Sequence, residues 1–458
     1  MFEKSSPLVT IYIPCHNYGN FLNQSVVSVV NQLYLNWELI IVDEASNDKT
    51  IEIAQKFCNF YPEKIKIIQN QTAVGLQKIA NTILKLAKGK YMIRLDADDW
   101  LDESALLVMV AKLESQHDLG LVYGNYFYTN LKGEILGLEK RYNIKNKKTF
   151  NYPPHGACTM FRVRSLKSVG GYSEDVTAQD GWDLWYKLYN RIGSASLDIP
   201  IFYYRQHTES LSRDKKRLIE ARMRIQNRIS SKLDGEYEPS IVAFIPVQEN
   251  YPGFANVPYQ KYNGQSLIER AIISATQSKK VRQVVLCSQS QKVLDYARDL
   301  ENSGIISKHI RLLRDEKKET KKNFPIKDLM LLVGNHVKLL DGKFPDVIAF
   351  LSLHAVNRRS EHIDNALNVL RINESDSVVS VLEEREPVFI NSENGLKLFN
   401  PGRFNDLTYE HECLYRFNGS IIATWWEVLE EHNLFGEKIS YIEMSEEDSF
   451  QIKFKNNL

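Results

Sequence analysis

Three carboxylates close the stretch Gly89-Lys90-Tyr91-Met92-Ile93-Arg94-Leu95-Asp96-Ala97-Asp98-Asp99-Trp100, directly after a run of mostly apolar residues. The segment from Tyr91 to Leu95 is short and bounded by Gly89, which predicts a buried strand. The acids then lie at its C-terminal end. In an open α/β sheet ligands bind at that edge, and Asp-x-Asp offers hard oxygens to a divalent cation that keeps its other positions for water and phosphate. A metal-bridged diphosphate fits this chemistry. The competing reading is helix capping, because Asp102-Glu103-Ser104-Ala105 looks like a helix start.

The elements that must position these acids alternate at short spacing. Strands are expected over 8–13, 37–42, 65–69 and 91–95, with helices over 21–31, 49–60 and 76–87 between them. This predicts a parallel sheet covered on both faces. A second strand also ends in acid, at Asp43-Glu44-Ala45-Ser46-Asn47-Asp48. Like charges converging on one edge repel unless a cation or hydrogen-bond donors lie between them. Asp43 is therefore placed to accept from a base N–H or a ribose hydroxyl, with Asp96 and Asp98 on a metal at the diphosphate. The alternative for Asp43 is an Asx-type turn or a cap of the helix from Lys49, which Asn47 or Asp48 would serve equally.

A chain of 458 residues predicts two domains and a connector. An apolar content of 43% with 25% charged residues describes a globular protein and excludes a disordered one. The formal net charge of +1 gives no reason to expect a nucleic-acid partner. Cys15, Cys58, Cys158, Cys287 and Cys413 lack Cys-x-x-Cys spacing, so neither a zinc knot nor a disulfide framework is expected. With that odd count and no signal-peptide pattern at Met1-Phe2-Glu3-Lys4-Ser5-Ser6-Pro7, a cytoplasmic location is expected, and no apolar run approaches a membrane span.

In order, Ile11-Tyr12-Ile13-Pro14-Cys15-His16-Asn17, then Ile41-Val42-Asp43-Glu44-Ala45-Ser46-Asn47-Asp48-Lys49-Thr50, Gly75, Asn81, Gly89-Lys90-Tyr91 and Asp96-Ala97-Asp98-Asp99 resemble the family 2 glycosyltransferases of the GT-A fold. That family inverts the anomeric centre as it moves a sugar from a nucleotide-diphosphate sugar to a hydroxyl. The likeness covers residues 5–212, and its motifs are specific as an ordered set. Glu44 stands where the family usually has a second aspartate. The resemblance implies that Pro14, Asn17, Asp43, Ser46, Gly75, Asn81 and Asp96 hold the nucleotide, and that Asp96 and Asp98 hold Mg²⁺ or Mn²⁺.

Inverting transfer needs a general base for the acceptor hydroxyl. The family places it at a helix start, here Val176-Thr177-Ala178-Gln179-Asp180-Gly181-Trp182-Asp183-Leu184-Trp185, after a Gly170-Gly171-Tyr172 turn like the family's own. Asp180 is the expected base. Gln179 replaces a common glutamate and Gly181 lengthens the spacing by one, so Asp183 competes. Capping is the other role for Asp180, and the two are compatible because a helix N-terminus keeps a carboxylate ionised. Trp182 and Trp185 could stack on a sugar, though such helical spacing usually marks core. Tyr203-Tyr204-Arg205-Gln206-His207 resembles the segment that closes this catalytic domain, which implies that Arg205 and His207 contact the diphosphate or complete the metal shell. His155 is expected to line the acceptor cleft.

Lys140-Arg141-Tyr142-Asn143-Ile144-Lys145-Asn146-Lys147-Lys148 and the helical run 213–232 are basic. Such runs are usually solvated faces; the functional alternative is attraction to an anionic membrane or a lipid-diphosphate acceptor. Asp234-Gly235-Glu236-Tyr237-Glu238-Pro239 reads as a boundary, giving domains 1–212 and 239–458 around a basic connector, 213–238.

A second alternation follows, with strands over 241–245, 283–286, 347–351 and 377–381 and helices over 267–276, 291–300 and 362–370. Ile241-Val242-Ala243-Phe244-Ile245-Pro246, Tyr262-Asn263-Gly264-Gln265-Ser266-Leu267-Ile268 and Pro345-Asp346-Val347-Ile348-Ala349-Phe350-Leu351 resemble the cytidylyltransferases that activate sialic and related acids as CMP-sugars. The fold class expected is therefore two Rossmann-like α/β domains in tandem, each like the nucleotide-diphosphate-sugar transferases, the first with the GT-A fold. The second departs from its family in chemistry. Its phosphate loop, Val247-Gln248-Glu249-Asn250-Tyr251-Pro252-Gly253-Phe254-Ala255-Asn256, has no Lys or Arg and gains Glu249. Gln451-Ile452-Lys453 replaces an Asp-x-Asp metal pair, and Leu353-His354-Ala355-Val356-Asn357-Arg358 keeps only the arginine of its motif. A catalytically inactive domain is implied, serving for homodimerisation, as in its dimeric relatives, or for binding a partner or sugar nucleotide.

The expected function is metal-dependent, inverting glycosyl transfer to a glycan or lipid-linked acceptor in surface-polysaccharide biosynthesis, in the cytoplasm or peripherally at the inner face of the membrane. The alternatives are a bifunctional transferase and cytidylyltransferase, and a non-catalytic sugar-nucleotide-binding scaffold.

Overall fold

The computed structural model describes residues 6–141, 157–176, 178, 180–188, 191–207, 215–233, 238–306, 310–314, 325–384, 386–393, 395–399, 414–431 and 433–453. The chain divides into two units, one of Met1–Ile225 with Phe389–Glu412, the other of Gln226–Val388 with Cys413–Leu458.

The first unit opens with β1 (Val9–Cys15), α1 (Gly19–Val30), β2 (Trp37–Glu44), α2 (Thr50–Phe60), β3 (Ile65–Asn70), α3 (Leu76–Leu86) and β4 (Tyr91–Arg94). It continues through β5 (Trp100–Leu101), α4 (Ala105–Ser115), β6 (Leu119–Thr129), β7 (Ile135–Glu139), β8 (Met160–Arg162), α5 (Val163–Ser168), α6 (Asp180–Leu188) and β9 (Gly193–Arg205). Next comes α7 (Lys215–Leu233), within which the division between the units falls.

The strand order is β3-β2-β1-β4-β8-β6-β9-β5, with β7 beside β6. The four strands β3, β2, β1 and β4 are parallel, as their alternation with helices predicts. The wholly parallel sheet expected from sequence is corrected beyond them, because β8 runs antiparallel to both β4 and β6, and β5 to β9. β8 and β5 have three and two residues, too few for a hydrophobic period to appear.

Alternate residues of β1 feed opposite faces. Val9, Ile11 and Ile13 join Leu22 and Val26 of α1 and Leu106 of α4, while Tyr12 joins Ile79 and Ile83 of α3 and Leu184 of α6. The sheet is covered on both sides. Pro14 does not end β1 as its type predicts. The strand runs on to Cys15 beside β2, and the register with β4 stops at Tyr12, so the missing N–H interrupts no ladder on that side.

The second unit carries β10 (Ile241–Pro246), β11 (Lys261–Tyr262), β12 (Gln265–Ser266), α8 (Leu267–Thr276), β13 (Gln283–Ser288), α9 (Gln291–Asn302), β14 (Ile310–Arg314), α10 (Ile326–Asp341), β15 (Val347–Leu351), α11 (Ser360–Ile372) and β16 (Ser377–Glu384). The hairpin of β17 (Phe389–Ser392) and β18 (Gly395–Leu398) falls in the segment grouped with the first unit. β19 (Leu414–Trp425), α12 (Trp426–Glu431) and β20 (Ile439–Glu443) complete the second.

Its sheet order is β14-β13-β10-β15-β19-β16-β20, parallel through β14, β13, β10 and β15. Both units are thus α/β, each with a mixed sheet. Among the described residues no helix is long and apolar enough to cross a membrane.

Candidate active site

The C-terminal ends of β1, β2 and β4 bring two groups of acids to one edge of the first sheet. At the end of β2, Asp43 lies opposite Cys15 of β1, is 3% exposed, and accepts only long hydrogen bonds from the Ser46 N–H, at 3.3 and 3.4 Å. These bonds span three residues, where the Asx-type turn weighed for Asp43 spans two. The tight bonds go to Asp48, whose two oxygens accept from Gly19 N and Thr50 N at 2.9 Å each. Burial works against the Asp48 charge, yet the Thr50 and Gly19 donors outweigh it and hold the carboxyl below its ordinary range. Asp48 thereby joins the starts of α1 and α2.

Asn17, at φ 60°, donates its backbone N–H to Ser46 Oγ at 2.9 Å, and its Oδ1 accepts from Asn47 N at 2.9 Å. Glu44 Oε2 accepts from Val74 N at 2.7 Å and Gly75 N at 2.9 Å. Gly75 has φ 91° ahead of α3, a conformation that requires glycine. Of the residues expected to hold a nucleotide, Pro14, Asn17, Asp43, Ser46 and Gly75 are thus joined through β1, β2 and their loops. Asn81 is not. Its Oδ1 accepts from Tyr172 N at 2.8 Å, and its Nδ2 donates to Tyr172 O and Glu174 Oε1 at 2.9 Å each. Its amide clamps the Gly170-Gly171-Tyr172 turn.

After β4, Asp96 pairs with Arg94 Nε at 3.0 Å, and Asp98 Oδ2 meets His207 Nε2 at 2.8 Å. Asp99 is 1% exposed and accepts from Arg205 N at 2.9 Å. Burial and the charges of Asp98 and Asp96 push its carboxyl well above the ordinary range. The helix start read at 102–105 is present as α4, but its N-cap is Ser104, without a side-chain cap bond, and Asp102 accepts from Ser104 N at 3.0 Å just ahead of it.

Arg205 does not point its charge outward, as the expected diphosphate contact requires. It is 3% exposed and donates to Asp98 O (2.8 Å), Leu131 O (2.6 Å) and Gln24 Oε1 (2.6 Å). Its guanidinium lies over Phe21 and Trp100, 4.9 and 4.7 Å from the ring centres. Its charge is thus turned mainly to the protein itself. Phe21, Gln24 and Arg94 escape sequence reading, since an aromatic and an amide on a helix, and an arginine in a strand, carry no chemical spacing.

At α6, Asp180 is the first residue, and its side chain lies outside the described residues, as do Gln179 and His155. Asp183 is 3% exposed and pairs with Lys187 at 3.2 Å, while Lys187 also donates to Gly171 O at 2.8 Å. Trp182 and Trp185 are buried, with Arg222 stacked over Trp182 at 4.8 Å, so both serve the core.

One carboxylate and one imidazole, both nearly buried and converging at Asp98 and His207, suit a divalent cation that draws its remaining ligands from phosphate and water. Among the described residues no cluster of three or more His, Cys, Asp or Glu side chains offers a cage made by the protein alone.

Comparison with known proteins bears on residues of both acid groups. The family described as Glycosyl transferase family 2 matches residues 10–170. The Escherichia coli UDP-Glc:alpha-D-GlcNAc-diphosphoundecaprenol beta-1,3-glucosyltransferase WfgD is 28% identical over 214 residues, 45% of this chain and 81% of that one. A Pasteurella multocida chondroitin synthase is 28% identical over 186 residues, 40% of this chain, which spans 19% of the synthase. The crystal structure of S. aureus TarS 1-349 aligns with a TM-score of 0.39 at 19% identity, over 49% of this chain and 65% of TarS. The N-terminal region of the chain therefore carries a glycosyl transferase family 2 domain, homologous to glycosyltransferases.

Proposed function

We propose that the first unit, as a GT-A-type domain, transfers a glycosyl group from a nucleotide-diphosphate sugar to a hydroxyl of a glycan or lipid-linked acceptor, with inversion and with Mg²⁺ or Mn²⁺. The observation that carries this reading is the meeting of Asp98 and His207 at 2.8 Å, on the sheet edge where Asp43 also ends its strand, with Asp43 and Asp98 inside the family 2 match. Asp43 accepts from the nucleoside, and Asp98 and His207 hold the cation, with Asp96 beside them. A divalent cation held there supplies positive charge against the leaving diphosphate. Asp180 takes the proton of the attacking hydroxyl, helped by its place at the start of α6, where the helix dipole keeps a carboxylate ionised.

Surface-polysaccharide synthesis fits the named roles of WfgD and the chondroitin synthase, and a peripheral approach to an anionic membrane fits the basic segment 140–148. For the second unit we propose a cytidylyltransferase-like scaffold without that catalysis, available for pairing two copies. In support, Glu249 bonds Ser290 Oγ at 2.8 Å and Lys292 at 3.1 Å where a phosphate loop would need cations. Gln451 Nε2 bonds Asn418 O, and Ile452 N bonds His354 O at 3.1 Å, which ties this segment to the chain itself.

The test is thermal shift with UDP, GDP, dTDP, CDP, CMP and CTP, with and without Mn²⁺, on the full chain and on Asp98→Ala. A Mn²⁺-dependent shift by one nucleoside diphosphate that Asp98→Ala abolishes supports the reading. Stabilisation by CTP that survives Asp98→Ala favours the bifunctional alternative, and no shift by any nucleotide sinks the transferase reading.

A further inference from the structure

A guanidinium is a flat fork of N–H donors with two faces that aromatic rings can cover. In Arg205 each of the three nitrogens of the fork has an acceptor within the protein and two rings lie against the group, so the side chain is held as a fixed part. Two residues on, His207 stacks on the other partner of that stack, Phe21, at 5.6 Å and 27°. His207 then meets Asp98 Oδ2, and Asp98 O accepts from Arg205 Nε. The contacts close a ring: Asp98 carbonyl, Arg205, Phe21, His207, Asp98 carboxylate.

We infer that Arg205 is a positioning residue, which with Phe21 and Gln24 fixes the Asp98 carboxylate and the His207 imidazole in the mutual geometry that a divalent cation requires. This rests on the reading that Asp98 and His207 bind the cation. The ring joins the end of β4, α1 and the end of β9, and Leu131 adds the turn between β6 and β7. Supports behind metal ligands set their orientation, and losing one typically weakens metal affinity about 10- to 100-fold. A lysine at 205 has one nitrogen and no flat face, so it cannot replace the arginine.

The test is Mn²⁺ binding to the full chain without nucleotide, followed by electron paramagnetic resonance for both affinity and line shape. Arg205→Lys and Phe21→Leu are expected to weaken Mn²⁺ about 10- to 100-fold and broaden its spectrum, while Phe21→Tyr, which keeps the ring, restores both. Gln24 is exposed. Gln24→Leu removes an acceptor without touching the core and is expected to weaken Mn²⁺ as well, with recovery in Gln24→Glu. Wild-type affinity and line shape in folded Arg205→Lys and Phe21→Leu, with Mn²⁺ lost in Asp98→Ala and His207→Ala, overturns the inference alone. If Arg205→Lys does not fold, equal affinities in Gln24→Leu and Gln24→Glu overturn it. Full Mn²⁺ binding in Asp98→Ala and His207→Ala overturns the metal reading and the inference together.

Discussion

Asp98 and His207 are 109 positions apart in the chain and 2.8 Å apart in space. β4 delivers the first and β9 the second to one edge of a sheet whose strand order separates them by two strands. Asp98→Asn and His207→Ala are expected to lower transfer by a factor on the order of 100 or more, because each removes a donor to the charge that stabilises the leaving group. Product formation against Mn²⁺ concentration checks this. Activity of either variant at the wild-type level under saturating Mn²⁺ would refute it.

Asp180 and Asp183 separate by their proposed roles. Asp183 is buried and paired with Lys187, so Asp183→Asn is expected to cost roughly 1 to 3 kcal/mol of stability by leaving the ammonium less well matched. Asp180→Asn is expected to keep the melting temperature and donor binding while turnover falls, on the order of 100- to 10,000-fold for a lost general base. Melting curves and donor titrations on the two variants decide it. A melting loss in Asp180→Asn with turnover intact would exchange the roles.

Gly171 answers two demands together. Its φ is 72°, and a Cβ there would lie 2.5 Å from Asn81 Oδ1, the atom that accepts from Tyr172 N. Gly171→Ala is expected to destabilise the first unit by about 1 to 3 kcal/mol through strain and loss of that clamp. Denaturant unfolding monitored through Trp182 and Trp185 measures it; an unchanged midpoint would show that the turn yields freely.

His354 gives the second unit a pH dependence. Burial and the charge of Lys453 lower its pKa from 6.5, against the pull of its bond to the Ile452 carbonyl. The unfolded chain then binds the proton more readily than the folded one, so stability rises with pH up to about 6.5 and falls below it. Melting temperatures between about pH 5 and pH 7 should show this slope, and His354→Gln should flatten it. A slope unchanged by the substitution would assign it to another group.

Much of this fold was legible because period and punctuation coincide in the first half. The four parallel strands and three helices up to β4 appear in the sequence within one or two residues, each bounded by a polar or glycine turn. β5 and β8 were not legible, being shorter than any period. Among the site residues, Asp43, Asp96 and Asp98 announced themselves by type at strand ends. The structural work of Asn81 and Arg205 stayed hidden, because a side chain turned inward to backbone carbonyls and N–H groups has the same letter as one turned outward to a ligand. Phe21 and Gln24 stayed hidden for the opposite reason: they gain a role only from what the chain places beside them about 180 residues later.

The reach of Glu44 has a consequence for protein engineering. It grips the backbone ahead of α3 at Val74 and Gly75 and also bonds Asn70, so the side chain at 44 and the loop 70–75 are matched in length. An aspartate there is one methylene shorter. A chimera that takes the β2 end from a relative with aspartate at this place must therefore take that relative's β3–α3 loop as well, or leave two amide protons facing a gap.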